Sequence, residues 1–163
     1  MKIAVFSDVH DNLVNLDKFL KWSNNNNIKE LLCCGDVTTV QTLEIVSKKF
    51  SGNIHLVIGN VDMFTEKEIA NLSNVKCYGK VGRALIGGRQ IGMCHEPFLI
   101  EKVLEIGKCD VVFFGHTHKP WIEEKQGVST VNPGTLGGVF QKATFSVFET
   151  TKGKLDLKIL NTL

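Results

Sequence analysis

Apolar residues fall along the chain in two alternating rhythms. Ile3–Phe6 and Leu31–Cys34 are unbroken apolar runs of four, and Ile54–Ile58 reads as a third strand. Leu13, Leu16, Phe19 and Leu20 recur at helical spacing after the first run, and Val40, Leu43, Val46 and Phe50 do so after the second. Asn12 predicts the N-cap of the first helix, the run Asn24–Asn27 predicts its exit, and a shorter helical pattern lies near Glu66–Leu72. Strands and helices alternating in this way predict βαβ units and a largely parallel sheet. Their continuous apolar character implies cover on both faces.

From Val75 the rhythm shortens. Strands are predicted around Val75–Tyr78, Arg83–Ile86 and Gln90–Cys94, then a helix at Phe98–Ile106 and a strand at Val111–Phe114. A hairpin-like tail follows, with strands at Trp121–Glu124, Val128–Val131, Thr144–Phe148 and Leu155–Leu160. Gly87–Gly88 and Gly137–Gly138 read as turns. No linker or internal repeat divides the chain. The pattern predicts an α/β fold, a two-sheet β-sandwich flanked by helices in α-β-β-α order, as one domain over residues 1–163.

Composition narrows the class. With 43% hydrophobic and 22% charged residues the chain reads as an ordinary soluble protein. No apolar run exceeds four residues, so no membrane span is expected, and Asp8 arrives too early for a signal peptide. A net charge of +2 argues for no nucleic-acid surface. The five cysteines are odd in number and form no Cys-x-x-Cys pair, which predicts reduced thiols in a cytoplasmic protein. His55, inside a strand, reads as a satisfied structural histidine, Lys48-Lys49 as a solvated helix end, and Trp121 as packed within its strand.

The chemistry sits where the strands end. Ile3–Phe6 is followed by Ser7 and Asp8, Leu31–Cys34 by Gly35 and Asp36, and Val111–Phe114 by Gly115 and His116. Gly59-Asn60 follows the third strand and His95 directly follows Cys94. Ligands in such sheets gather outside the carboxyl ends of strands, so Asp8, His10, Asp36, Asn60, His95, His116 and His118 converge on one site. Imidazole and carboxylate donors together suit Mn, Fe, Co, Ni or Zn rather than Mg or Ca. Seven donors exceed the needs of one tetrahedral ion but suit two ions sharing a carboxylate, roughly 3.5–4 Å apart.

These residues carry a resemblance. Asp8-Val9-His10-Asp11-Asn12, Gly35-Asp36, Gly59-Asn60-Val61-Asp62, His95 and Gly115-His116-Thr117-His118 resemble the motifs of the calcineurin-like metallophosphoesterases, in order and spacing. Asn132-Pro133-Gly134-Thr135 resembles a further loop of the family's small members, and the short, capless prokaryotic phosphodiesterases are the most similar branch. The resemblance implies that Asp8, His10 and His118 hold one metal, that Asn60, His95 and His116 hold a second, and that Asp36 bridges them. It implies two divalent transition-metal ions, with manganese the best support for activity. A hydroxide bridging those ions would attack a small phosphodiester, cyclic nucleotides or nucleotide derivatives included. Asn60 and His95 would be catalytic as well as ligating.

Three positions depart from the family pattern. Val61 stands where many larger members have a histidine general acid, Glu96 stands where glycine is common, and Asp11 replaces a small residue. A non-catalytic scaffold of the same fold, like the small retromer subunit, and a monoesterase or nuclease are the alternative readings. A homo-oligomer is compatible with the sequence.

Overall fold

A computed structural model describes residues 1–163. Eleven strands form two sheets. The first contains β1 (Lys2–Phe6), β2 (Glu30–Cys33), β3 (Asn53–Leu56), β4 (Val75–Cys77), β10 (Thr144–Glu149) and β11 (Lys154–Ile159), in the order β11-β10-β1-β2-β3-β4. The second contains β5 (Val81–Ile86), β6 (Arg89–Cys94), β7 (Val111–Phe113), β8 (Trp121–Lys125) and β9 (Val128–Asn132), in the order β5-β6-β7-β9-β8. The expected two-sheet sandwich with outer helices is present. Strands β1 to β4 are parallel, as the βαβ rhythm predicts, whereas β10 and β11 join them antiparallel.

Period-two alternation explains the layers. On β1, Ala4 and Phe6 face an outer core with Leu31 and Cys33 of β2, against Leu16, Phe19 and Leu20 of α1 (Leu13–Asn25) and Leu43 and Val46 of α2 (Val40–Lys49). Ile3 and Val5 point the other way, onto Ile91, Met93, Phe113 and Val131 of the second sheet. Both faces of β1 are therefore buried, which is why its sequence is continuously apolar. A third core packs Val112 and Cys94 against Ile100 and Val103 of α4 (Ile100–Ile106) on the far side.

Local chemistry sets the element ends. The Asn12 side chain accepts from the Asn15 N–H and caps α1, as expected. Thr65 and Glu68 form a reciprocal capping box on the short α3 (Glu66–Ile69). The helix expected at Phe98–Ile106 begins instead as a single 3₁₀ turn at Pro97–Leu99, with α4 following from Ile100; proline suits that first position, where an N–H would have no partner. The tail differs more. Its first hairpin, β8–β9, completes the second sheet, but β10–β11 crosses to the first and pairs with β1.

Two side-chain readings are resolved here. His55 donates and accepts within a closed set, Glu30 Oε2 at 2.9 Å and Tyr78 OH at 2.8 Å, in keeping with a structural histidine. Trp121 is not packed in its strand: it is half exposed on edge strand β8 and lines a surface hollow of about 340 Å³ with Thr117 and Lys119. All five cysteines are free.

Candidate metal centre

The loops after β1 and β2 are laced together by main-chain bonds. Asp8 N–H donates to the Gly35 carbonyl at 3.1 Å, and Val9 and His10 both donate to the Asp36 carbonyl. Two glycines permit the close approach of the loops. A Cβ on Gly59 would lie 2.0 Å from Asp36 Oδ1, and one on Gly115 would lie 2.0 Å from Ser7 Oγ and 2.9 Å from Asp8 Oδ2. Five of the seven candidate ligands, Asp8, His10, Asp36, His116 and His118, have φ between 47° and 70°. Such left-handed backbone costs an L-residue of order 1–3 kcal/mol and persists only where surroundings over-determine it.

All seven sequence-selected residues meet at this end of the sandwich. Asp8, His10 and His118 bring one donor atom each within 4.8 Å of one another, and Asp36, His95 and His116 do the same. His10 Nε2 and His118 Nε2 are 3.1 Å apart, and His118 Nε2 is 3.2 Å from Asp8 Oδ1. In the second group His95 Nε2 lies 3.0 Å from Asn60 Oδ1 and 3.1 Å from Asp36 Oδ2, while His116 Nδ1 lies 2.9 Å from Asn60 Oδ1. Asp36 Oδ2 is also 3.9 Å from His10 Nε2, so this carboxylate stands between the groups.

The donor chemistry fits cations. Asp8 Oδ1 is fully buried yet accepts no hydrogen bond, an expensive state for a carboxylate oxygen. His95 Nδ1 sits 2.7 Å from the Cys34 carbonyl and must donate to it, so Nε2 presents a lone pair toward the oxygens of Asp36 and Asn60. Three lone-pair donors facing one another require a cation, either a proton or a metal ion. His118 Nδ1, 3.3 Å from the Val139 carbonyl, orients that ring in the same sense. Ring and carboxylate also tune one another. The Asp8 carboxylate raises the His10 pKa, with burial opposing. Burial would lower His95, but hydrogen bonding to Asp36 lifts it above the usual imidazole value. Burial would raise Asp36, but His95 and His10 hold it below the usual carboxylate range.

A ring of polar residues holds the ligand loops. Asp62 accepts from the N–H groups of Gly59 at 2.7 Å, Thr38 at 2.8 Å and Asp36 at 3.1 Å, and burial raises its pKa. Asn132 Nδ2 donates to the Gly115 carbonyl and to Thr117 Oγ1, and the Thr135 hydroxyl donates to the Asp8 carbonyl. The Asn132–Thr135 motif thus steadies both histidine and aspartate loops. Asp11 also turns away from the donors: its Oδ1 accepts from the hydroxyls of Thr39 and Thr42 and ties the first loop to the start of α2. Only the wide spacing of Asp11 and Thr39 hid this contact in the sequence. Glu96 has one buried, unpartnered oxygen, and Val61 donates its N–H to Asp36 Oδ1 at 3.1 Å.

Residues 1–153 match the family model of the calcineurin-like phosphoesterase superfamily domain. The chain belongs to that superfamily and is an enzyme of the metallophosphoesterase class. It is similar to a phosphodiesterase of Methanocaldococcus jannaschii, 27% identical with 93% of this chain and 95% of the relative covered. A solved archaeal phosphodiesterase superimposes with a TM-score of 0.86 at 25% identity, covering 98% and 99% of the two chains. Vps29 of Entamoeba histolytica, solved with zinc, shares the fold at a TM-score of 0.69 and 19% identity, with 97% of each chain covered. No helix is long and apolar enough to cross a membrane.

Proposed function

We propose that the protein is a single-domain, cytoplasmic phosphodiesterase that hydrolyses small phosphodiesters with two divalent transition-metal ions, manganese foremost. The observation that carries the reading is the pair of donor groups, Asp8–His10–His118 and Asp36–His95–His116, with the Asp36 carboxylate between them. Asn60 Oδ1 completes the second group through its approach to His95 and His116. When bound, the ions supply Lewis acidity that activates water and neutralises phosphate charge. The similarity to phosphodiesterases over nearly the whole chain supports a diester as substrate.

The protein's own groups do the positioning. Two aspartates against two dications leave an excess of positive charge, which favours an anionic phosphate. With Oδ1 turned to the imidazoles, the Asn60 amide leaves its N–H₂ free to donate to a phosphate oxygen. His95, wholly buried and anchored on Cys34, keeps its Nε2 directed at the reacting region. No imidazole follows Asn60, so the leaving oxygen departs without a histidine acid at that position.

The test is Asp36→Ala. Loss of two bound metals per chain together with diester turnover, in a variant that still melts cooperatively, is the expected result. Full turnover with both metals retained would overturn the assignment. A wild-type protein that binds no transition metal and turns over neither diesters nor monoesters would select the scaffold reading instead.

A further inference from the structure

Phe140 is the most exposed large apolar side chain of the molecule, 93% accessible, in a left-handed backbone conformation with φ of 60°. A bulky residue at positive φ is an outlier that costs free energy. Its exposure forgoes the stabilisation that burial would bring, since nothing in the core claims the ring. The strain and the exposure coincide at one position beside the candidate metal centre. The phenyl ring lies nearly parallel to the His118 imidazole, with centroids 6.4 Å apart and planes inclined by 28°.

The segment that carries the ring is anchored on both sides. Leu136 N–H donates to the Ser7 carbonyl and Gly137 N–H to the Asp8 carbonyl, pinning the segment to the first ligand loop. Asn12 Nδ2 donates to the Gly137 carbonyl at 2.8 Å, and a Cβ on Gly137 would lie 2.6 Å from the Val9 carbonyl oxygen. The Val139 carbonyl then accepts from His118 Nδ1, and Ala143, buried beyond the loop, accepts from Leu160 N–H. Phe140 therefore stands on a short arch with one foot bonded to the first ligand loop and the other, at Ala143, to Leu160.

We propose that Phe140 is a specificity residue: a stacking platform beside the first donor group that receives the planar, nucleobase-like portion of a phosphodiester whose phosphate binds at the metal centre. The inference rests on the proposed phosphodiesterase reading and names its substrate class as nucleotide derivatives. A base joined to its phosphate through one pentose would meet the open face of the ring while the phosphate stays at the donor groups. Every base has a π-face, so a lone phenyl favours nucleotides over aliphatic esters without choosing among bases.

The test is equilibrium binding, which needs no turnover. Manganese-loaded wild type, Phe140→Leu and Phe140→Trp are titrated calorimetrically with adenosine 5′-monophosphate and with ribose 5-phosphate, which lacks the base. Wild type is expected to bind the nucleotide about 5- to 20-fold more tightly than the sugar phosphate, the exposed end of the range for base–aromatic stacking. Phe140→Leu, equally apolar and equally strained, should remove most of that preference and leave ribose 5-phosphate binding within about twofold. Phe140→Trp should keep it. Equal affinities for the two ligands in wild type, no measurable binding of the nucleotide, a preference that survives in Phe140→Leu, or equal weakening of both ligands would each overturn the platform. A diesterase that passes the Asp36 test yet shows any of these results keeps its proposed function and loses only this inference.

Discussion

The Asp62 carboxylate accepts the Asp36 main-chain N–H at 3.1 Å, so the residue standing between the two donor groups is held by a second aspartate 26 positions away. The same carboxylate takes the N–H groups of Gly59 and Thr38. It therefore sets the relative placement of the loops that carry Asp36 and Asn60.

Asp62→Ala leaves three main-chain donors without their acceptor in a half-buried region. The expected loss is about 2–5 kcal/mol by urea denaturation, from roughly 1–3 kcal/mol per buried donor left unpaired, partly relieved by water. Metal affinity should also fall about 10- to 100-fold, as for other groups that orient ligands. Asp62→Asn, which keeps one acceptor oxygen, should fall between. Stability within about 0.5 kcal/mol of wild type in the alanine variant would show that the three bonds do not hold the loops.

Protonation gives stability slopes of opposite sign with and without metal. In the metal-free protein the pKa values of His10 and His95 are raised. That contribution is fully present below the unfolded value of about 6.5 and is lost as pH rises through the folded values. Asp36, with its pKa lowered, contributes above its unfolded value of about 3.9 and loses that only as pH falls through its folded value. Melting temperature of the chelated protein should therefore decline as pH rises from about 6 to 8. The manganese-loaded protein should show the reverse, because protons compete with the ion for the same nitrogens. Parallel melting curves with identical pH slopes would contradict the shared-site account.

Val61 tests the leaving-group side. The residue is 37% exposed, and its main-chain N–H bond to Asp36 does not depend on the side chain that Val61→His replaces. Aryl phosphodiesters, whose leaving groups need little protonation, should react much faster than alkyl ones. Val61→His should narrow that gap, since a positioned acid contributes typically ~10²–10⁴-fold. Rates on both ester classes, measured at matched metal loading, decide the matter. Equal wild-type rates with chemistry rate-limiting would point to another acid, and Glu96 with its unpartnered oxygen is the first to replace.

Much of this was legible because burial leaves simple marks. β1, β2 and β7 are covered on both faces and read as apolar runs, and the turn chemistry of Gly87–Gly88 marked the β5–β6 hairpin. The seven donors were selectable because each lies just past a strand end, five of them after those three runs and Asn60 and His95 after β3 and β6. Other features depend on partners distant in sequence. The pairing of β10 with β1 joins Lys2 to Glu149, a register that no local pattern encodes. The bond that the Thr42 hydroxyl donates to Asp11 and the placement of Phe140 beside His118 are tertiary outcomes of the same kind. Trp121 misled because an aromatic residue in a strand pattern ordinarily signals packing, and here its strand is an edge.

The donors are divided between the two sheets. Asp8, His10, Asp36 and Asn60 leave strands of the first, whereas His95, His116 and His118 leave strands of the second. Each donor group draws on both. An ion in either group is thus a rivet through the layers, and its removal would loosen the sandwich at one end like an unlatched hinge. Amide exchange in the buried residues of β1 and β7 would then register the ion's departure as well as the loops that grip it.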